Sequence, residues 1–232
     1  MYIYGKNVAI EELQKENTIQ KVFLYKNFKD DKIINIIRKK NLKVEYLEKY
    51  ELDHLVKGNH QGIILKVNDF NYNSLDELLN KDNSLIVILD HIEDPHNFGA
   101  IIRTCEAAGV KGIIIPKDRS VQVNSTVVKV STGAINGIKI VRVTNLSQTI
   151  DELKKNGYWI VGTDMNGTNY TDIDYSGNCA IVIGNEGSGM SNIIRKKCDF
   201  IASIPMFGTT NSLNASVATG IMIFEAIKKR NI

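Results

Sequence analysis

The chain has 232 residues, 43% hydrophobic and 24% charged, a balance that excludes disordered and fibrous classes. No apolar run reaches the ~20 residues of a membrane helix, and the polar N-terminus MYIYGKNVAIEELQKE reads as neither a signal nor a transit peptide. The net charge is +3, and the excess sits early: residues 1–73 hold 13 Lys and Arg against 10 Asp and Glu, and the rest balances. Phosphate contact by the N-terminal third would use that excess, although a plain solvated surface accounts for it equally well. Cys105, Cys179 and Cys198 are odd in number and widely spaced, which suits a reducing cytoplasm better than a disulfide frame or a zinc site.

In chain order, residues 7–16 read as a helix and Lys21–Tyr25 as a strand. Asp30–Lys40 reads as a helix ending in Arg38-Lys39-Lys40, a basic end that suits the helix dipole. Lys43–Leu47 and Gly62–Val67 are further strands. Together they make an α/β unit of about 70 residues, large enough to fold alone. The polar stretch 68–74 reads as a linker. Beyond it come a short helix near Leu75–Leu79, the strand Ser84–Asp90, a helix over Ala100–Gly109 and the strand Gly112–Ile115. Asn124–Val130 (helix), Lys139–Val143 (strand), Leu146–Lys155 (helix) and Tyr158–Thr163 (strand) follow. Two apolar strands, Ala180–Ile183 and Ile201–Ile204, each run into a polar loop before a final helix over Leu213–Lys229. This alternation predicts a predominantly parallel sheet. Ligands of such sheets settle where loops leave the carboxyl ends of the strands.

Three motifs carry candidate chemistry, and each has a plain alternative. His91-Ile92-Glu93-Asp94-Pro95-His96 crowds four possible metal ligands into six residues, but Pro95 breaks a helical ligand pair, so no metal is expected. A turn with Asp94 or Asn97 capping the next helix explains those residues better. Arg103, about two turns into that helix, is a surface arginine if taken alone. The loop GNEGSG at 184–189 matches neither phosphate-binding glycine fingerprint, and its lone carboxylate is Glu186. SLNASVA at 212–218 could be an N-cap followed by a small-residue helix face.

Taken together, D-x-x-x-D-P-x-N-x-G-A-x-x-R at 90–103, I-G-N-E-G-x-G at 183–189 and I-P-M…S-L-N-A-S-V-A at 204–218 resemble the three motifs of SpoU-type (TrmH-like) RNA 2′-O-ribose methyltransferases. The resemblance covers residues 75–232. The N-terminal unit, with YGKNVAIEEL at 4–13 and KGNHQGI at 57–63, is similar to the RNA-binding domain of the large-subunit rRNA guanosine branch. The resemblance implies a small α/β RNA-binding domain over 1–70, a linker over 71–75 and a parallel-sheet domain over 76–232 closed by a deep trefoil knot. It also implies a homodimer through the C-terminal domain, a cytoplasmic location and S-adenosylmethionine as cofactor.

By position, the resemblance makes Asn97, Arg103, Glu186, Ser212 and Asn214 the catalytic and substrate-binding group. It places Ile183, Gly184, Asn185, Ile204, Met206 and Leu213 around the cofactor. Lys26, Lys29, Lys32, Arg38, Lys39 and Lys40 become the expected phosphate contacts, with Tyr4 and His60 near a base. The expected partner is RNA, a guanosine of 23S rRNA foremost, with no DNA and no membrane. A tRNA 2′-O-methyltransferase and a non-catalytic RNA-binding or ribosome-assembly factor are the alternatives.

Overall fold

A computed structural model of the chain describes residues 1–15, 19–79 and 83–230. The chain divides into two compact units. The first holds Met1–Asn71 together with Val123–Gly133, and the second holds Tyr72–Gln122 and Ala134 onward. The 123–133 segment, which a boundary at 71–75 leaves in the second domain, therefore clusters with the first unit.

In the first unit, strands β1 (Tyr2–Tyr4), β2 (Ile19–Tyr25), β3 (Val44–Leu47) and β4 (Ile63–Val67) form a mixed sheet in the order β1-β4-β2-β3. Helices α1 (Lys6–Gln14), α2 (Asp31–Lys39) and α3 (Lys49–Leu55) accompany it. Glu16, expected at the end of α1, lies outside the described residues. Alternation decides the faces: Phe23 and Ile64 turn towards Leu52 of α3, while Val22, Leu24 and Leu65 point the other way. The start of α2 is fixed by Asp30, whose carboxylate accepts from the Ile33 amide at 3.2 Å. That bond holds the Asp30 carboxyl below the usual carboxylate range. Helix α5 (Ser125–Val130), capped by Asn124, also belongs to this unit.

The second unit is built on six strands: β5 (Leu85–Asp90), β6 (Gly112–Pro116), β7 (Lys139–Val143), β8 (Trp159–Asn169), β9 (Cys179–Gly184) and β10 (Phe200–Ser203). Their order is β10-β8-β9-β5-β6-β7, and every pairing is parallel. β5 and β9 lie at its centre, buried along nearly their whole length, as strands covered on both faces must be. Helices α4 (Pro95–Ala107), α6 (Leu146–Lys155), α7 (Asn192–Arg195) and α8 (Ala215–Lys229) complete the unit. The chain leaves β5 towards β6 and β7, then returns on the other side to lay down β8 and β9. The direction reverses between β5 and β9, where Asp90 pairs in register with Gly184. Open parallel sheets bind ligands at such a crevice.

Five elements differ from expectation. β1, α3 and α7 are additional. β8 runs six residues past Thr163, and its pairing with β10 jumps register between Ile201 and Ala202. Helix α4 starts five residues early because Pro95 occupies its first position, where a missing N–H costs nothing.

At the far end of α8, Arg230 is buried, with only 6% of its surface exposed. Its guanidinium donates to the carbonyls of Tyr175 and Gly177, both at 2.8 Å, and to that of Asn83. Burial pushes its pKa down from the usual arginine value. Three carbonyls from two loops thus depend on one side chain. Arg230→Met should destabilise the unit by about 2–4 kcal/mol, read as a fall in melting temperature of roughly 5–12 °C. An unchanged melting temperature would show that water satisfies those carbonyls equally well.

Candidate active site

The two loops leaving β5 and β9 are held together by backbone and side chain. Asp90, the last residue of β5, is 1% exposed. One carboxylate oxygen accepts from the Ser191 amide at 2.7 Å, and the other contacts His91 Nδ1 at 2.6 Å. His91 adopts a left-handed backbone, φ 62°, and its carbonyl accepts from Asn185 Nδ2 at 2.7 Å. The glycine loop is therefore tied to β5 twice. Its own shape comes from Asn185, which exchanges backbone hydrogen bonds with Gly189 (3.0 and 2.9 Å). The Asn185 side-chain oxygen also accepts from Gly187 N at 2.8 Å and Ser188 N at 3.3 Å. Gly184 admits no substituent: a Cβ there would fall on the Gly189 and Met190 backbone.

Asp94 caps α4, accepting from His96 N at 2.8 Å, which leaves Asn97 free for other work. Asn97 is nearly buried and donates to Glu186 Oε1. Asn214, the N-cap of α8, closes the triangle: its Nδ2 donates to Asn97 Oδ1 at 2.9 Å and to Glu186 Oε1 at 3.0 Å. The Ala215 amide, in the first turn of α8, adds a longer contact to the same oxygen at 3.4 Å. One carboxylate oxygen thus gathers α4, the glycine loop and α8, and Glu186 Oε2 accepts from none of the described residues. A carboxylate near a helix N-terminus is electrostatically favoured.

The structure brings Asn97, Glu186 and Asn214 together and leaves Arg103 and Ser212 outside their hydrogen bonds. Arg103 is exposed and has no hydrogen-bond or ion-pair partner among the described residues. The reason is helical geometry: six residues separate it from Asn97, about 9 Å along the axis and 240° around it. Ser212 is likewise exposed.

A cleft of about 220 Å³ lies between the two loops, lined by Ile92, Glu93, Asp94, Asn185, Glu186 and Gly187. Of the expected cofactor residues only Asn185 lines it. Ile183 is buried, while Gly184, Ile204, Met206 and Leu213 are half-buried. Both loops offer bare backbone: a Cβ on Gly189 of the glycine loop, or on Gly208 in the loop before α8, would meet nothing within 4 Å. Bare backbone beside half-buried apolar side chains fits a nucleoside cofactor. Asp90, Ser191 and the Ala215 amide are supports that sequence reasoning missed. The available signals were a buried strand ending in a carboxylate and the motif that opens on Asp90.

No thiol in the chain suits nucleophilic catalysis. Burial pushes Cys179 and Cys198 up to about 12 and Cys105 higher still, and a thiol is reactive only as thiolate. Among the described residues no three His, Cys, Asp or Glu gather as metal ligands, and no helix is long and apolar enough to cross a membrane.

Of the six expected phosphate contacts, all are exposed, but two are already engaged. Lys26 pairs with Glu48 at 2.9 Å, which holds its ammonium above the usual lysine value. Lys40 donates to the Lys15 carbonyl at 2.6 Å. Lys29, Lys32, Arg38 and Lys39 have no partner among the described residues. His60 is buried with both ring nitrogens occupied by Asp53 and the Gly62 amide, which leaves neither nitrogen for a hydrogen bond to a base.

The sequence pattern of the SpoU rRNA methylase family matches residues 84–224, and that of the RNA 2′-O ribose methyltransferase substrate-binding domain matches residues 2–73. YacO of Bacillus subtilis strain 168, named for the TrmH family of tRNA/rRNA methyltransferases, is 40% identical over 239 residues, covering 99% of this chain and 96% of YacO. An S-adenosylmethionine-bound rRNA methyltransferase from Sinorhizobium meliloti superposes with a TM-score of 0.80 at 27% identity, over 98% of this chain and 86% of that one. The SpoU methyltransferase AviRb of Streptomyces viridochromogenes, solved with the same cofactor, shares the fold with a TM-score of 0.82 at 24% identity, covering 99% of this chain and 89% of AviRb. Such matches define a class of RNA methyltransferases that depend on S-adenosylmethionine. The chain belongs to the SpoU rRNA methylase family, the TrmH group of its relatives.

Proposed function

We propose that the protein methylates a ribose 2′-hydroxyl in RNA, at a guanosine of large-subunit (23S) rRNA. The observation that carries this reading is the Asn97–Glu186–Asn214 triangle at the β5/β9 crevice, in a chain whose first 73 residues match a 2′-O-ribose substrate-binding domain. S-adenosylmethionine supplies a methyl group on a sulfonium cation. Gly184, Asn185, Ile204, Met206 and Leu213, together with the buried Ile183, would hold it. These apolar side chains exclude water, which favours a reaction in which charge fades. Asn97, Glu186 and Asn214 fix the loops, and Ser212 with Asn214 receives the substrate. Arg103, unengaged in the fold, steadies the oxygen as its proton passes to solvent, or holds the neighbouring phosphate. Guanidinium normally stays protonated, which makes it an electrostatic partner rather than a base.

Residues 1–70 supply RNA affinity, 71–75 link, and 76–232 form the catalytic domain. A homodimer through the second unit and a deep trefoil knot at its C-terminal end belong to the same reading, as does a cytoplasmic location. Supporting the dimer, Val217 and Phe224 lie seven residues apart on one face of α8, and both are about half exposed. Lys32 and Lys39 share a face of α2 in the same way. Replacing Lys29, Lys32 or Lys39 singly with alanine should weaken RNA binding and lower the slope of log K against log salt by about 0.7–0.9. An unchanged slope would remove that residue from the interface.

The direct test is transfer of labelled methyl to total RNA lacking the modification, followed by nucleoside analysis. Label in 2′-O-methylguanosine from 23S rRNA is the expected result. Label in tRNA, the other substrate in the name of YacO, keeps the chemistry and moves the target. Cofactor binding without any transfer points to an assembly intermediate as substrate, and neither binding nor transfer to a non-catalytic RNA binder.

A further inference from the structure

The first unit contains a second cavity, of about 370 Å³, between α3 and the loop 58–62, within the size range of small-ligand sites. Tyr25, Lys49 and Asp53 line it together with that loop. Lys49 and Asp53 are four residues apart and share one face of α3. His60, itself buried, is a fixed post beside them: its Nδ1 accepts from the Gly62 amide at 3.0 Å, which leaves the proton on Nε2 to be donated to Asp53 Oδ1 at 2.9 Å. The Asp53 carboxylate is thereby held in one direction while its side chain stays about half exposed. Its Oδ2 has no partner among the described residues. Gln61 and Gly62 are both left-handed, with φ 51° and 81°, and this sharp turn is tied to β2 by Tyr25 N donating to the Gly62 carbonyl at 2.8 Å. Around the turn, the amides of Gly58, Asn59 and Gln61 donate to no described residue.

We infer that this cavity takes one unpaired guanine of the RNA, separate from the methylated ribose. The inference rests on the reading of the first unit as RNA-binding. A fixed carboxylate asks for two adjacent N–H donors, and guanine is the base whose pairing edge provides them, at N1 and N2. Adenine and cytosine present one amino group beside an acceptor, and uracil one N–H between two carbonyls. The Tyr25 ring gives a stacking surface. Lys49 and the free amides answer the acceptor side of guanine or its phosphate. His60, structural in itself, is a positioning residue for Asp53.

The test is fluorescence anisotropy on the full chain with the labelled heptanucleotides UUUGUUU, UUUAUUU and UUUIUUU, where I is inosine. The guanine oligomer should bind about tenfold tighter than the adenine one, as one bidentate contact allows. Inosine, which lacks the N2 amine, should lose most of that preference. Asp53→Asn keeps an acceptor for His60 and should bind the guanine and adenine oligomers within twofold of each other, with an unchanged melting temperature. Equal affinity for guanine and adenine in the wild type would overturn the inference, and so would a preference that survives Asp53→Asn. Displacement of the oligomer by GMP at equal concentration would instead identify a free-nucleotide site and reject the RNA assignment. Cofactor binding and methyl transfer, measured separately on the same preparation, distinguish the two readings: guanine preference with neither cofactor binding nor transfer rejects the proposed function and keeps the pocket, and transfer without preference does the reverse.

Discussion

Gly184→Ala should raise the dissociation constant for S-adenosylmethionine by at least about 50-fold, or roughly 2.3 kcal/mol. The added Cβ points into the Gly189–Met190 backbone, which lies across from Gly184 in the closed loop. Backbone cannot rotate aside as a side chain can, so the whole 185–190 turn must shift. That shift breaks the Asn185–Gly189 pair and the Ser191 amide bond to Asp90. The proposed cofactor site would then be lost although none of its atoms was removed. Gly187→Ala is the matched control. A Cβ there meets only Asn185 Oδ1 at 3.5 Å, an ordinary contact, and affinity should stay within about threefold. Calorimetric titration of both variants settles the matter. Equal, small effects would mean that the glycine loop does not carry the cofactor.

Arg103→Ala should lower kcat by about 10²–10³, the usual loss when one donor to a developing oxyanion is removed. Cofactor affinity should change less than about threefold, and the melting temperature hardly at all. The separation follows from the position of the side chain. Arg103 is exposed on α4 and shares in none of the bonds that hold Asn97, Glu186 and Asn214. Arg103→Lys keeps the charge but loses the planar fork and should recover only part of the rate. A large loss of cofactor binding in Arg103→Ala would make the residue structural and would remove it from the chemistry.

Much of the second unit is legible from sequence because buried parallel strands are written as unbroken apolar runs. SLIVILD and AIVI announce β5 and β9, and their polar ends announce the crevice. The misses have physical causes. β1 is three residues long and pairs with β4 about 60 residues away, so no local period reveals it. α3 is a seven-residue helix whose capping box opens on glutamate rather than serine or threonine. Pro95 reads as a breaker until the helix is seen to begin on it. Past Thr163, β8 is mostly exposed and polar, held by its pairing with β10 and by Arg195, which donates to Asp164 and the Asn166 carbonyl.

The site was legible as three motifs but not as a geometry. Asn97 and Asn214 stand 117 positions apart, and no spacing rule joins them. Resemblance to a family grouped them with Arg103, whereas the fold assembles the first two around Glu186 and leaves the arginine facing outward. The supporting role of His60 was hidden for a similar reason. A histidine in a glycine-rich loop looks available, and only burial and two hydrogen bonds show that it is not.

The order of the central sheet also bears on how the chain is made. β5 is flanked by β6, which follows within about 25 residues, and by β9, which begins 94 residues after β5 starts. At a synthesis rate of about 5–20 residues per second, one edge of LIVILD waits roughly 5–20 s for its partner. During that time the nascent chain carries an apolar strand edge of the kind that seeds aggregation. A fragment ending before Cys179 keeps that edge open permanently and should collect in the insoluble fraction, whereas the full chain, once β9 arrives, buries it.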